Sequence, residues 1–260
     1  MKLTALITGA SSGIGLELAK IHASKGDNLV LVARSKNKLD ELKLELEKKY
    51  DSSVYSIYKD LSNPGSALEI YTEIKQQNIQ IDYLINNAGF GVFGMFNETD
   101  GDKENRMIHL NITALTQFCK LYLKDMIQRG SGKIMNVAST AAFQPGPTMA
   151  VYYATKAYVL HFSEAINNEV KGTGVTVTAF CPGATESGFQ TAAAMEESNL
   201  VKGKKLPGSR EVAEYGYKAM MKGKAVAIHG FMNFLMASSV RFSPRSLVVK
   251  VTRKIQGKKD

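Results

Sequence analysis

Cysteine and long apolar segments are scarce in this sequence. Its two cysteines, Cys119 and Cys181, lie far apart, and neither belongs to a paired Cys or His spacing. That arrangement predicts neither a disulfide framework nor a metal site, and it fits a reducing cytoplasm. The first apolar run, within residues 1–9, is far too short for a signal peptide or a membrane-spanning helix, so we expect the fold to begin at once.

Acidic residues are scarce only near the C-terminal end. The 260-residue chain has a formal charge of +9, yet residues 230–260 hold seven Lys or Arg and one acid, a net of +6 that leaves +3 for the rest. Charge collected at one end, without a recognised binding motif, predicts no nucleic-acid partner. An apolar content of 44% with 22% charged residues is typical of a soluble globular protein, and without a repeat or linker we predict one domain.

Short strand candidates alternate with helix candidates along the chain. The strand candidates are residues 2–8, 28–32, 54–58, 82–85, 133–139, 174–180 and 225–228. The helix candidates are residues 16–25, 36–50, 102–129, 151–169 and 209–222. This alternation predicts an α/β fold, a Rossmann-type doubly wound parallel sheet with helices on both faces and ligands at the C-terminal ends of the strands.

A glycine-rich turn follows the first strand candidate. It reads Gly9-Ala10-Ser11-Ser12-Gly13-Ile14-Gly15 and leads into a helix candidate. Strand, glycine-rich turn and helix in that order form the phosphate-binding unit of dinucleotide folds, because the glycines allow a tight turn and a close approach of the backbone to a pyrophosphate. The alternative is that the segment is only a good loop.

Polar residues at the next strand ends bear on the choice of cofactor. Arg34 lies roughly 20 residues past the glycines, where an acid would hold the ribose of NAD and an Arg can accommodate the 2′-phosphate of NADP. No acid adjoins it, so we favour NADP(H) over a merely solvated Arg. Asp60, followed by Leu61, either accepts a hydrogen bond from the adenine amine or caps the helix after Pro64, and both roles can hold.

A hydroxyl, a phenol and an ammonium could converge in the stretch from Ser139 to Lys156. Because residues four apart share one face of a helix, Tyr152 and Lys156 would stand side by side, whereas Tyr153 would point elsewhere. A neighbouring ammonium favours the phenolate, so we expect Lys156 to lower the pKa of Tyr152 from about 10 towards neutrality. The pair would act as an acid/base device, unless Tyr152 is simply half-buried beside a snorkelling Lys.

Two further sets of residues fit such a site. Asn111 interrupts the apolar face of the helix candidate 102–129, so it either caps local backbone or holds a water near the active site. The run Asn86-Asn87-Ala88-Gly89 follows the fourth strand candidate, and its small residues suit a backbone that lies close to a ligand.

In these motifs the chain resembles the short-chain dehydrogenase/reductase family, and the resemblance covers nearly all of it. Residues 8–15 resemble the family's cofactor loop, residues 86–89 its strand-four motif and Asp60 its adenine-contact residue. The resemblance implies a catalytic tetrad of Asn111, Ser139, Tyr152 and Lys156. It also implies that Pro182, Gly183 and Thr185 contact the nicotinamide carboxamide, and Arg34 is similar to the NADP-preferring members. Residues 181–189 and 244–248 look like a bacterial subgroup of broad carbonyl reductases that is also related to hydroxysteroid and acyl reductases.

The mechanism that the resemblance implies is hydride transfer from NADPH to a carbonyl carbon. Tyr152 would donate the proton while Ser139 polarises the oxygen, and the roles reverse in oxidation. Lys156 would bond the nicotinamide ribose, and Asn111 would retain a water that connects it to solvent. The alternatives are oxidation of a hydroxy acid or other alcohol with NADP, and a non-catalytic protein that senses NADP(H). The complete tetrad argues against the sensor.

Candidate pocket residues are mostly apolar, which predicts a neutral, partly apolar ketone or aldehyde as substrate. They are Phe90, Val92, Phe93, Ala141, Phe143, Met149, Tyr153, Phe189 and Met195. A Gly- and Ala-rich lid spans about residues 184–206, and its Lys202, Lys204 and Lys205 leave an acidic substrate open.

The tail of residues 230–260 interleaves apolar and basic side chains. Such a segment can lie on an anionic membrane surface, but we favour packing of its apolar side on the protein's own sheet, on the lid or on another subunit. The family resemblance implies a homodimer or homotetramer, formed through the outer faces of the helix candidates 102–129 and 151–169.

Overall fold

A parallel β-sheet forms the centre of the molecule. The computed structural model describes residues 2–193, 195, 198–199, 203 and 205–257. The strands in these residues are Thr4–Thr8 (β1), Asn28–Ala33 (β2), Val54–Tyr58 (β3), Tyr83–Asn86 (β4), Gly132–Val137 (β5), Val175–Cys181 (β6) and Val226–Ile228 (β7). They form a parallel sheet in the order β3-β2-β1-β4-β5-β6-β7. The predicted doubly wound sheet is confirmed.

Helices cover both faces of this sheet. They are Gly13–Ser24 (α1), Lys36–Lys49 (α2), Ser66–Gln76 (α3), Gly101–Ile108 (α4), Leu115–Arg129 (α5), Ala150–Glu169 (α6), Phe189–Ala192 (α7), Ser209–Met221 (α8), Phe231–Ser239 (α9) and Arg245–Gln256 (α10). Helices α3, α5 and α6 pack on one face, and α1, α2 and α8 pack on the other. Among the described residues, no helix is long and apolar enough to cross a membrane.

The strands are buried on both sides because their apolar residues alternate between two core layers. Leu6 and Leu84 face the layer of α3, α5 and α6, whereas Ile7 and Ile85 face the layer of α1, α2 and α8. Successive side chains of a strand point to opposite faces, so a strand needs a continuous apolar run to fill both layers. The sheet is therefore a rigid base for the loops at its C-terminal edge.

The predicted helix over residues 102–129 contains an irregularity. Helices α4 and α5 are joined by a π-helical turn, His109–Ala114, which holds Asn111. The apolar period on either side matches an α-helix, so the pattern gave no sign of this turn. Such turns are rare and often occur at functional sites.

The helix after Pro64 also differs from expectation. Gly65, in a left-handed conformation with φ +82°, precedes α3, and no side chain caps it. The prediction that Asp60 caps this helix is therefore wrong. Asp60 instead accepts hydrogen bonds in the turn just before it, where it belongs to the site described below.

Candidate active site

The site begins where strands β1 and β4 lie side by side at the centre of the sheet. The Thr8 hydroxyl, at the end of β1, accepts hydrogen bonds from the backbone N–H groups of Asn87 and Ala88, both at 3.0 Å. The Asn87 amide donates in return to the Thr8 carbonyl at 2.9 Å. The order of strands reverses here, which leaves a crevice at their carboxyl ends where ligands of such sheets bind. These bonds hold its two walls together.

The glycine-rich turn closes against the strand-four loop. Gly9 has φ +67°, and a Cβ atom there would lie 2.8 Å from the Asn87 amide nitrogen. A Cβ at Gly15 would lie 2.3 Å from the Gly9 carbonyl oxygen. Ser12 precedes α1, but its side chain makes no capping hydrogen bond. The N-terminus of α1 therefore keeps backbone donors for an anion, which its dipole would also favour.

Two guanidinium groups meet one carboxylate at the end of β2. Nη2 of Arg106 lies 2.8 Å from Oδ2 of Asp60, and Nη1 of Arg34 lies 3.9 Å from the same oxygen. Oδ1 accepts from the backbone N–H and the hydroxyl of Ser62 at 2.9 and 2.7 Å. Burial raises the pKa of Asp60, but the bonds from Ser62 and the two guanidinium charges outweigh it and hold the pKa below its usual value. The Arg34 side chain is 72% exposed, so most of its donors remain open to a ligand.

Tyr152 and Lys156 lie on adjacent turns of α6 and are both buried. Lys156 Nζ donates to the Val137 carbonyl at 2.7 Å and lies 5.8 Å from the centroid of the Tyr152 ring. Burial lowers the pKa of Lys156 to about 8. Burial likewise raises the pKa of Tyr152 to about 12, although a hydrogen bond with Ser139 acts in the opposite direction.

The prediction that Lys156 brings the pKa of Tyr152 towards neutrality is therefore wrong. Burial disfavours the charged form of each group, so it raises the pKa of the phenol and lowers that of the amine. Sequence spacing places the two groups side by side, but it does not show how far each group is buried from water. At neutral pH Tyr152 carries its proton and can donate it.

Ser139 lies two residues beyond β5 rather than at its end. Its hydroxyl accepts from the Ala141 N–H at 3.1 Å and so caps a short 3₁₀ turn, Thr140–Phe143. The same hydroxyl lies 3.5 Å from the Pro182 carbonyl, at the edge of hydrogen-bond range. These contacts fix it beside the Tyr152 phenol.

Asn111 is buried in the π-helical turn and makes three hydrogen bonds. Its amide nitrogen donates to the Phe90 carbonyl at 3.0 Å and to the Thr155 hydroxyl at 3.1 Å, and its oxygen accepts from the Phe90 N–H at 3.3 Å. The predicted capping of local backbone is observed, and the predicted role in holding a water stays a prediction. A Cβ at Gly89 would lie 3.0 Å from Asn111 Oδ1 and 3.5 Å from Lys156 Nζ, so both groups reach the strand-four loop.

One cavity of about 750 Å³ collects nearly all of the predicted site residues. The predicted residues that line it are Gly9, Ser11, Ser12, Gly13, Ile14, Arg34, Asp60, Leu61, Asn87, Ala88, Gly89, Ser139, Tyr152, Lys156, Pro182, Gly183 and Thr185. Gly15 and Asn111 do not line it. Gly15 packs beneath the glycine-rich turn, and Asn111 supports the loop from behind.

Comparison with known proteins agrees with this geometry. Residues 3–198 match the family model of the short chain dehydrogenases. The chain belongs to the short-chain dehydrogenase family. A solved short-chain dehydrogenase from Sphingobium yanoikuyae, in complex with NADPH, is 32% identical, with a TM-score of 0.83 over 92% of this chain and 94% of that one. A bulky-bulky ketone specific alcohol dehydrogenase from Comamonas testosteroni is 31% identical, with a TM-score of 0.79 over 92% of each chain.

Curated relatives match a shorter part of the chain. A very-long-chain 3-oxoacyl-CoA reductase from Anas platyrhynchos is 33% identical over 184 residues, which are 68% of this chain and 58% of that protein. The chain thus spans less than two thirds of the length of such relatives. They support the assignment of the matched residues to the dehydrogenase family. The substrates in their names are those of the relatives and are not assigned to this chain.

Most of the predicted pocket residues of this short-chain dehydrogenase face the cavity. Phe90, Ala141, Met149, Tyr153, Phe189 and Met195 line it. Val92 and Phe93 pack behind these residues, and Phe143 packs against the main core instead. Lys205 is exposed and does not line the cavity, whereas Lys202 and Lys204 lie outside the described residues.

The sequence did not reveal the remaining wall, which is built by the C-terminal segment, residues 230–257. Its lining residues are Asn233, Met236, Ala237, Ser239, Val240, Ser243, Leu247, Val248, Val251, Thr252, Ile255 and Gln256. This segment lies beyond the part matched by the family model, and the sequence left its target open among the protein's own sheet, the lid and another subunit. The structure packs it across the lid and the mouth of the site.

Gln256 links the C-terminal segment to helix α6, which carries Tyr152 and Tyr153. Its amide nitrogen donates to the Tyr153 hydroxyl, and its carbonyl accepts from the Ser198 hydroxyl at 2.8 Å. The Asn199 N–H donates to the Gly257 carbonyl at 3.0 Å. The side-chain oxygen of Gln256 is buried and has no hydrogen-bond partner among the described residues. An unpaired buried amide is costly, so this atom is suited to a polar group of a ligand.

Proposed function

We propose that this chain is an NADPH-dependent oxidoreductase that reduces a bulky, largely apolar ketone or aldehyde to an alcohol. The observation that carries the proposal is the position of Tyr152. Its protonated phenol lies in a cavity with a glycine-rich, anion-binding end and an apolar end. A proton donor between a phosphate cradle and an apolar pocket suits the reduction of an apolar carbonyl compound.

The residues of the polar end fit NADP(H). The turn of Gly9 and Gly13 and the N-terminus of α1 would hold the pyrophosphate, and Arg34 would bind the 2′-phosphate. Gly89 leaves room beside Lys156 and Asn111 for the nicotinamide ribose. The likeness to a dehydrogenase solved with NADPH supports this choice. When bound, NADPH supplies the hydride.

The chain's own groups manage the proton and the carbonyl oxygen. The Tyr152 hydroxyl donates its proton to that oxygen, and the Ser139 hydroxyl donates a hydrogen bond to it. The phenolate left on Tyr152 is stabilised by the charged form of Lys156, whose pKa of about 8 keeps it mostly protonated at neutral pH. Burial keeps the Tyr152 phenol protonated at neutral pH, which is the form that donates the proton in reduction.

The apolar end of the cavity sets the substrate class. Its walls combine Met149 and Phe189 with Leu247 and Val251 of the C-terminal segment, and no arginine in the described part of the chain adjoins them to clamp a carboxylate. Within the described part of the C-terminal wall, the Gln256 side-chain oxygen is the one buried side-chain polar atom without a hydrogen-bond partner. A carbonyl compound with apolar groups on both sides, and at most one further polar group, fits these walls. The relative specific for bulky-bulky ketones supports this class.

The test is NADPH consumption with a graded panel of carbonyl compounds. We expect turnover to rise from small ketones to aryl and long-chain ketones, and to be weaker with NADH. Carboxylate-bearing ketones of the same size serve as the matched control and should react poorly. Tight NADPH binding without turnover of any carbonyl or alcohol would contradict an enzymatic role and favour a sensor of NADP(H).

A further inference from the structure

The C-terminal segment exposes an unusual share of the protein's large apolar side chains. Ten of the nineteen that are exposed among the described residues lie between Phe231 and Ile255. Phe231 is 73% exposed and Phe242 is 89% exposed. Single exposed apolar residues are ordinary, but a concentration of them marks a surface that meets a partner or a membrane.

Helix α10 shows how little of this segment is buried. One stripe of residues four apart packs inward, and it consists of Val248, Thr252 and Gln256. The neighbouring ridge is apolar but exposed, and it consists of Leu247, Val251 and Ile255. Lys250 and Lys254 follow on the other side of that ridge, by helical spacing. An apolar ridge bordered by lysines is the pattern of a helix that lies in a membrane interface.

The charge of the segment selects among partners. Residues 230–257 contain five Lys or Arg and no acid. A second copy on a two-fold axis would bring this basic surface against itself, and charged residues are depleted from the cores of such interfaces. An anionic lipid surface would instead attract each cation and accept the apolar side chains.

The same surface adjoins the cavity. Met236, Leu247, Val251 and Ile255 line the cavity wall, and each keeps between 40% and 51% of its surface exposed. The segment that carries the exposed apolar side chains therefore also forms a wall of the cavity that holds Tyr152. A compound dissolved in a bilayer that touched this surface would reach the cavity without crossing bulk water.

We propose that residues 230–257 bind the surface of an anionic membrane, with Phe231, Phe242 and the α10 ridge at the acyl boundary and Lys250 and Lys254 at the headgroups. The expected packing of the tail on the lid is observed at Gln256 and Gly257, and the proposal concerns the apolar side chains that stay exposed. The use of this surface for substrate entry rests on the proposed reductase function, whereas membrane binding itself does not.

The test is co-sedimentation of the full chain with vesicles of phosphatidylcholine, alone or mixed with phosphatidylglycerol, at low and high salt. We expect binding to the mixed vesicles that weakens as salt increases. Phe231→Ser with Phe242→Ser should weaken it by at least about tenfold, since two large apolar side chains leave the interface. Lys250→Gln with Lys254→Gln should cost about tenfold at low salt.

Matched controls separate this surface from general stickiness. Phe96 is 68% exposed elsewhere, and Phe96→Ser should leave vesicle binding unchanged, as should Lys38→Gln with Lys48→Gln on α2. The Phe231→Ser, Phe242→Ser protein should keep its turnover of a water-soluble ketone, because neither residue lines the cavity.

Two outcomes would overturn the proposal. One is no difference between the two kinds of vesicle, or equal losses in the tail and control variants. The other is an oligomer, measured by light scattering, that Phe231→Ser with Phe242→Ser splits, since that surface would then be a subunit interface. Vesicle binding without turnover of any carbonyl would leave this proposal standing and remove only the reductase function.

Discussion

The two sides of the cavity differ in how they are held. On the sheet side, the polar groups of Ser139, Lys156 and Asn111 are buried or half-buried and bonded to backbone of neighbouring loops and strands. On the side of the C-terminal segment, contacts are mainly apolar, and among the described residues the polar links to the rest of the site are those of Gln256 and Gly257. The difference indicates that the sheet side positions the catalytic groups, while the C-terminal side determines which substrates enter the cavity.

The largest effect on kcat should come from Tyr152, and the adjacent Tyr153 is its control. Tyr152→Phe removes the proton donor and should lower kcat by about a thousandfold, the usual size of general acid catalysis. Tyr153→Phe removes only a hydroxyl bonded to Gln256 and should cost less than about tenfold. Cofactor binding, followed by NADPH fluorescence, should be unchanged in both. Equal losses of kcat in the two variants would contradict the assignment of catalysis to the sheet side and of substrate selection to the C-terminal side.

The next effect concerns Lys156 and pH. Its ammonium is present below a pKa of about 8 and lost above it, so the rate of reduction should fall as pH rises through that value. Tyr152 and the neighbouring Cys181 both have a pKa raised to about 12, so neither should titrate there. Lys156→Met should cost about a hundredfold in kcat.

The control for this titration is Lys156→Arg, whose guanidinium stays charged at every pH of the assay. We expect a slower enzyme whose pH–rate profile lacks the fall near 8. The same fall in the arginine variant would assign it to another group.

Arg34 and Arg106 offer a matched pair on one carboxylate. Arg34→Ser should raise KM for NADPH by roughly ten- to a hundredfold, the strength of a hydrogen bond to a charged group, and leave KM for NADH nearly unchanged. Arg106 contacts Asp60 but does not line the cavity, so Arg106→Ser should change either KM only slightly. A parallel rise in both KM values for Arg34→Ser would mean a general loss of binding rather than loss of a phosphate contact.

The smallest effect should come from the C-terminal side. Gln256→Leu keeps the side-chain size and removes the buried amide, so it should raise KM about fivefold for ketones with a second polar group, and not for those without one. Thr252→Val is the control, since the Thr252 hydroxyl bonds to its own helix at Val248. A fall of kcat with every ketone would instead mean that Gln256 acts in catalysis and not in substrate selection.

The sequence predicted the sheet side well because its signals are local. The glycines of the turn, the spacing of Tyr152 and Lys156, and the residues at strand ends each follow from backbone conformation or helix period. The sequence named the lid as one of three targets for the tail but did not predict that the tail lines the cavity, because that position depends on contacts with residues far away in sequence, such as Tyr153 and Ser198. A helical period reveals which residues share a face, but not what that face meets.

The pKa of Tyr152 was mispredicted for a related reason. Proximity to Lys156 can be read from spacing, whereas desolvation depends on everything packed around both groups. Phe189, from the lid, lies with its ring centroid 5.3 Å from that of Tyr152 and helps to exclude water. No pattern within helix α6 contains that information.

The position of Asn111 depends on the number of residues in the π-helical turn His109–Ala114, and not only on which side chains the turn carries. A π turn closes its hydrogen bonds over five residues and so holds one residue more than an α turn. Deleting one of its residues other than Asn111 would remove the extra residue, and the turn would close as an ordinary α turn. Asn111 would then lose its register with Phe90, although every remaining residue was retained. This part of the site is therefore open to change by a single lost codon.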